Sequence, residues 1–199
     1  MKKLVIKTVI IVVSVIICVF AITFGVLCST NPRAIAKGFE SLGNYSASKY
    51  FYEMQYNKTE DIDDLFVLID NAYGQKDKIG MQNYLGELIS HKDFNQYCND
   101  QNKGLAQSAM KSEEYYSGFY ATVLYENGKF DNALRFCSSF VNTMGYTNFN
   151  PFRALIDGKL NLLTAEQKTQ IKTALNGHLS NFSDAQQINL INQDINKLG

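Results

Sequence analysis

Tryptophan is absent from this chain of 199 residues, and proline and histidine each occur only twice, at Pro32 and Pro151 and at His91 and His178. So few prolines, with few Gly/Ser tracts, exclude a many-stranded sandwich with turn signals every ~8–12 residues. They favour helices joined by short turns. Two histidines leave little for acid–base or metal chemistry. His91 and Cys98 stand close together in HKDFNQYC, but that stretch has no nucleophile signature and no third orienting group. His178 lies beside the inward face of its helix and reads as structural. No phosphate-loop, dinucleotide, kinase or zinc-protease motif occurs. The acidic run Thr59–Asp64 has neither the spacing nor the glycine of a calcium loop; it reads as the acidic start of a helix, with Thr59 as cap. The expectation is a protein that is not an enzyme and takes no cofactor and no metal.

An excess of charge is also missing. Lys and Arg number 19, as do Asp and Glu. Three of the lysines, Lys2, Lys3 and Lys7, precede the apolar run, so the remainder of the chain is slightly acidic. Nothing supplies the basic patch that phosphate neutralisation requires, and no nucleic-acid partner is expected. The four cysteines lie at 18, 28, 98 and 137. Only Cys98 and Cys137 could pair within a folded domain, and their spacing has no zinc-site form. Cys137 lies on an apolar helical face, where packing is its ordinary role.

What is present is apolar, at 46% of residues, enough for a packed core. The run from Thr8 to Cys28 carries no charged side chain and is long enough to cross a hydrocarbon layer of roughly 30 Å. A cleaved signal peptide would have a shorter core, about 7–15 residues, and a small-x-small site. This run ends instead in Val26-Leu27-Cys28-Ser29-Thr30, with bulky Leu27 where a lipoprotein signal carries a small residue. The reading is an uncleaved anchor over residues 1–28, with residues 8–28 in the bilayer. Three lysines before the span against Arg33 and Lys37 after it favour a cytoplasmic N-terminus, a single-pass cell-membrane protein and an extracytoplasmic domain.

Residues 29–199 read as all-α. In LYENGKFDNALRFCSSFV, from Leu124 to Val141, apolar residues recur at helical spacing, break once at Asn127-Gly128, and resume. Gly128 can close the first helix in a left-handed conformation, which makes the two helices antiparallel neighbours. Glycine, then Phe130, then Ala133, with Ala121 in the preceding helix, resembles the turn and helices of a tetratricopeptide repeat. Gly43, Tyr45 and Ser48 repeat the pattern. Thirty-four residues past Gly43, Asp77, Ile79 and Gln82 stand in the same register, between inward faces Leu65, Ile69, Ala72, Tyr73 and Ile79, Leu85, Leu88, Ile89. This register places repeats at about 29–62, 63–96 and 114–147, a divergent pair at 150–182 and a capping helix at 183–198. The intervening YCNDQNKGLAQSAMKSE reads as a loop or an extra short helix. Thr164 to Gln167 and Ser183 to Gln186 read as capping boxes. Ile188, Ile191, Ile195 and Leu198 line one side of the last helix, with Asn, Gln, Asp and Lys opposite.

The resemblance implies a right-handed solenoid whose inner groove holds another protein or peptide segment. Carried over by position, the groove residues are Arg33, Lys37 and Glu40, then Val67, Asn71 and Gln75, then Tyr115, Thr122, Tyr125 and Glu126. The chain departs from the carboxylate-clamp subset of that family, since Lys37 and Leu68 stand where its two asparagines would be. The expected function is a membrane-anchored interaction scaffold. Alternatives are a secretion or assembly accessory that binds client segments transiently, a small ligand-binding helical domain, and a structural stub within a larger membrane complex.

Overall fold

The chain is all-helical. The computed structural model describes residues 2–199, with side chains from Ile6 onward; Met1 and the side chains of Lys2 and Lys3, which enter the orientation reading, lie outside it. Among the described residues there are eleven α-helices and no strand. They are α1 (Lys2–Thr30), α2 (Pro32–Ser41), α3 (Tyr45–Thr59), α4 (Ile62–Gly74), α5 (Lys78–Ser90), α6 (Phe94–Asn102), α7 (Ser112–Glu126), α8 (Phe130–Met144), α9 (Pro151–Lys159), α10 (Ala165–Leu179) and α11 (Ala185–Lys197). Within α1, Ile6–Thr30 is long and apolar enough to cross a membrane, and no residue of its most apolar stretch is buried.

Local chemistry accounts for the helix boundaries. Asn31, Asn44 and Asn150 precede α2, α3 and α9, and their side-chain oxygens accept from Ala34 N, Ala47 N and Phe152 N at 3.2, 3.2 and 2.9 Å. Each satisfies an amide that has no partner inside its helix. Pro32 and Pro151 sit in the first turn, where proline loses no hydrogen bond. At α10 the expected box is present: Thr164 Oγ1 accepts from Gln167 N, and Gln167 Oε1 accepts from Thr164 N. At α11 the cap is Asp184 rather than Ser183, because its carboxylate accepts from both Gln186 N and Gln187 N.

The chain divides into two compact units at Asn71/Ala72, within the last turn of α4. In the first, α2 and α3 pack closely after a turn in which Gly43 takes φ 72°. Phe39 stacks on Phe51 with ring centres 5.6 Å apart, and the Tyr52 hydroxyl donates to Glu40 Oε2 at 2.9 Å. Burial, reinforced by that carboxylate, pushes the Tyr52 phenol up to about 12. Thr59 is not a helix cap. It ends α3, Glu60 turns left-handed at φ 47°, and Asp61 Oδ1 accepts from Asp63 N at 3.0 Å to start α4. The Thr59 hydroxyl instead donates to the buried Asp64 carboxylate at 3.0 Å.

The second unit begins with a register correction. The left-handed residue of the turn before α5 is Lys76, and Asp77 caps the helix by accepting from Gly80 N at 2.9 Å. The connection has the same length as those before α3 and α8, but it comes one residue earlier than the 34-residue register requires. Met81 therefore takes the buried place given to Gln82, while Ile79 is 58% exposed and Tyr73 66% exposed. Helix α7 packs against α5, α6, α8 and α9; α8 packs against α9 and α10, and α10 against α11. Their shared core includes Leu124, Phe130, Cys137, Phe152, Ile171 and Ile191. Cys98 and Cys137 are buried and free. Burial raises both thiols, that of Cys98 to about 12, so neither is a thiolate at neutral pH. His178 is buried against Phe152, and loss of water lowers its pKa.

Asp64 provides a test. Desolvation raises its pKa above the ordinary 3.8, with the Thr59 hydroxyl and Arg33, whose Nε lies 3.7 Å away, opposing the shift only in part. A carboxylate whose folded pKa is raised binds its proton more tightly in the folded state. The first unit thus loses stability as pH rises from about 3.8 through that raised value. Asp64→Asn should melt at a higher temperature than wild type at pH 7, with the difference shrinking toward pH ~4. A lower melting temperature at pH 7 would mean that Arg33 outweighs burial.

Candidate functional site

Helix α7 carries the two groove positions that converge on one surface. Its start is held by α6: Asn102 Oδ1 accepts from Ser112 N at 2.9 Å, and Asn102 Nδ2 donates to Glu113 Oε2 at 2.8 Å. Glu114 then accepts from Lys111 N at 3.0 Å. This capping had no legible signal, since the helix is preceded by lysine and its cap comes from the previous helix.

Helix α9 lies close against α7 because Gly118 faces Ala154. A Cβ built on Gly118 would stand 2.9 Å from that of Ala154. The close approach leaves a trough of about 360 Å³ lined by Met110, Tyr115, Phe119, Thr122, Arg153 and Asp157, among others. Tyr115 is 53% exposed at its edge, with its ring edge-on to Tyr116. A second cavity of about 590 Å³ lies between Gln107–Lys111, Met144–Phe149 and the start of α11. Glu114, Asn148 and Phe149 line both.

The wall shared by α9, the loop before it and α11 is set by a buried carboxylate. Asp194 is fully buried. Its Oδ2 accepts from the Tyr146 hydroxyl at 2.7 Å and lies 3.0 Å from Arg153 Nε, while Lys197 Nζ stands 3.1 Å from Oδ1. Burial raises the Tyr146 phenol and the neighbouring carboxylate raises it further, so Tyr146 is a pure donor here. Lys197 also reaches Asp157 at 2.7 Å. These contacts correct the expectation for the last helix, which placed its aspartate on the outer polar side. The buried face is Leu190, Ile191, Asp194 and Leu198, with Ile188 and Ile195 at its margins. Gln187 adds a second tie, its Oε1 accepting from Tyr146 N at 2.8 Å.

The remaining groove candidates fall elsewhere. Tyr125 is half-buried and donates to Leu162 O at 2.9 Å, bracing the loop between α9 and α10. Glu126 pairs with Lys159 of α9 and lies 3.8 Å from Lys78 of α5. Gln75 is half-buried in the turn before α5. In the first unit, Lys37 is exposed, Val67 half-buried and Asn71 buried; Arg33 faces Asp64, and Glu40 is held by Tyr52. Of the groove candidates, Tyr115 and Thr122 line the α7–α9 trough together. Arg153 and Asp157, which complete it, carry no mark in the sequence, because helical periodicity marks inward faces and not which helix comes to lie opposite. Among the described residues no group of three or more metal-ligating side chains is assembled.

No family model matches the sequence, and neither the curated proteins nor the solved structures include one similar to it.

Four substitutions test this architecture. Asp194→Ala, which strands the nearly buried Arg153, should cost about 3–5 kcal/mol, and Tyr146→Phe about 1.5–3 kcal/mol, both read from denaturant unfolding. Gly118→Ala should be net destabilising, because overpacking costs about 1–3 kcal/mol and the gain in helix propensity is only about 1 kcal/mol. Gly177→Ala, which meets nothing within 4 Å, should stabilise by about 0.5–1 kcal/mol.

Proposed function

We propose that this chain is a membrane-anchored interaction scaffold, in which a tetratricopeptide-like helical array outside the cytoplasm binds a segment of another protein. The observation that carries the reading is the α7–α9 trough, open to solvent beside Tyr115 and lined by both apolar and charged groups. Such a surface suits a helix or extended peptide that buries an aromatic or aliphatic anchor and meets the exposed Asp157 at the rim. The solenoid part of the proposal is supported by packing order. Helix α7 contacts α9 more extensively than its own hairpin partner α8, and α8 contacts both helices of the next pair, as stacked helix pairs do when each buries its face on the next. The anchor is supported by the uncovered apolar length of α1. The assignment of the domain to the outside rests on the lysines before the span.

The 590 Å³ cavity favours one second reading, a small polar ligand held between the 103–111 loop and α11, since its size lies in the range of ligand sites.

A photoreactive residue in place of Tyr115 in intact cells, with the same probe at Asn192 on the exposed side of α11, separates these readings. The scaffold predicts one discrete protein adduct from position 115 alone, lost when Thr122→Tyr fills the trough. Equal background from both positions, or an adduct indifferent to Thr122→Tyr, would remove the basis for the groove.

A further inference from the structure

Within the first unit, α2 does not continue away from α1 but returns along it. Helix α1 ends at Thr30 and α2 starts at Pro32. The two are in contact, with Asn31 N donating to Leu27 O at 2.8 Å at the bend. Two further contacts fix the direction. Lys58, near the end of α3, donates from Nζ to Ser29 O at 3.2 Å, and Phe51, two turns earlier in α3, meets Phe24 edge-on with ring centres 6.5 Å apart. Phe39 stacks on that same Phe51. Phe24 lies about 9 Å back from the end of α1, and Phe39 about 10 Å beyond the start of α2, by the rise of a helix. The three rings therefore share one level. The hairpin tip, from Leu42 to Tyr45, lies about one further turn toward the middle of α1.

That level coincides with the edge of a bilayer. At 29 residues α1 is about 43 Å long, against a hydrocarbon core of about 30 Å. Some 20 residues counted from Leu4 end beside Phe24, and counted from Thr8 they end at Leu27. By the two counts a tip one turn past the Phe24 level lies about 5 or about 10 Å inside the hydrocarbon edge, the depth at which interfacial segments bury their apolar side. The side chains there suit it. Leu42 is 80% exposed, and Tyr45 and Tyr50 are both largely exposed on α3. Tyrosine concentrates at membrane–water boundaries because its ring prefers the apolar side and its hydroxyl the wet side.

We propose that the α2–α3 hairpin is a second membrane contact, which lays Leu42 and Tyr45 into the interfacial layer of the same bilayer that α1 crosses. The Phe24–Phe51–Phe39 stack is then the brace that holds the hairpin against the emerging helix. This inference rests on α1 spanning the bilayer. The occupant is lipid, not protein, because the exposed groups are carried toward the membrane segment itself.

The chain's lack of tryptophan allows a direct test with single-tryptophan variants of the full-length protein, reconstituted in phosphatidylcholine/phosphatidylglycerol vesicles with or without lipids brominated near the headgroup end of their chains. The expected result is a blue-shifted emission and loss of roughly half its intensity for Tyr45→Trp, as for any interfacial indole. Asn57→Trp, at the far end of α3, should stay red-shifted and unquenched. Leu42→Trp, at a position with little packing to lose, repeats the test if Tyr45→Trp does not fold. Phe20→Trp monitors the span. If Phe20→Trp shows lipid contact and both tip reporters behave like Asn57→Trp, the hairpin contact is overturned while the span stands. Quenching of Asn57→Trp equal to that of the tip would also overturn it, since the contact would not belong to the tip. If Phe20→Trp shows no lipid contact, the spanning reading fails and this one with it.

Discussion

The second unit depends on one carboxylate that water cannot reach. A lone buried charge would be severely unfavourable, so Asp194 is compatible with the fold only while Tyr146, Arg153 and Lys197 surround it. Those three groups come from the loop before α9, from α9 itself and from the next turn of α11. Satisfying the charge therefore specifies how the loop, α9 and α11 meet, where apolar contacts alone would tolerate sliding. Tyr146 lines one cavity and Arg153 the other, so the feature that holds α11 against α9 also shapes the candidate binding surface.

Close backbone approach is the second constraint. Gly118 lets α7 and α9 come together at a point where even a methyl group would collide with Ala154. The trough beside that point follows from the same geometry: two helices that nearly touch at one level leave a wedge of space above it. Gly43 and Gly128 act differently, through left-handed turns that close α2 and α7 without steric cost. Where lysine takes that conformation instead, at Lys76, the turn has the same length but comes one residue before the 34-residue register, and the following helix is displaced with it.

The proposed membrane contact obeys a comparable logic. A helix longer than the bilayer core must leave some of its length outside, tilt, or be braced by other protein. Phe24 of α1 packs on Phe51, which packs on Phe39; with α1 in a bilayer as proposed, that contact would restrain its orientation.

Much of this could be read along the chain. The all-helical class, the apolar N-terminal helix and the Thr164–Gln167 box follow from interactions spanning at most a few residues, whose energetics depend little on what packs around them. The Gly43 and Gly128 turns are legible for the same reason. The site was legible only in part. Tyr115 and Thr122 could be placed on one face of a helix, but Arg153 and Asp157 come from another helix, and nothing local marks which helix will be opposite. Asp194 is the clearest case: by sequence it belongs with the polar side of an amphipathic helix, yet it is buried, because Tyr146 and Arg153, more than forty positions away, join Lys197 in supplying the donors that a buried carboxylate requires. Periodicity and capping decided the elements; long-range complementarity of charge and shape, absent from any single segment, decided how they meet.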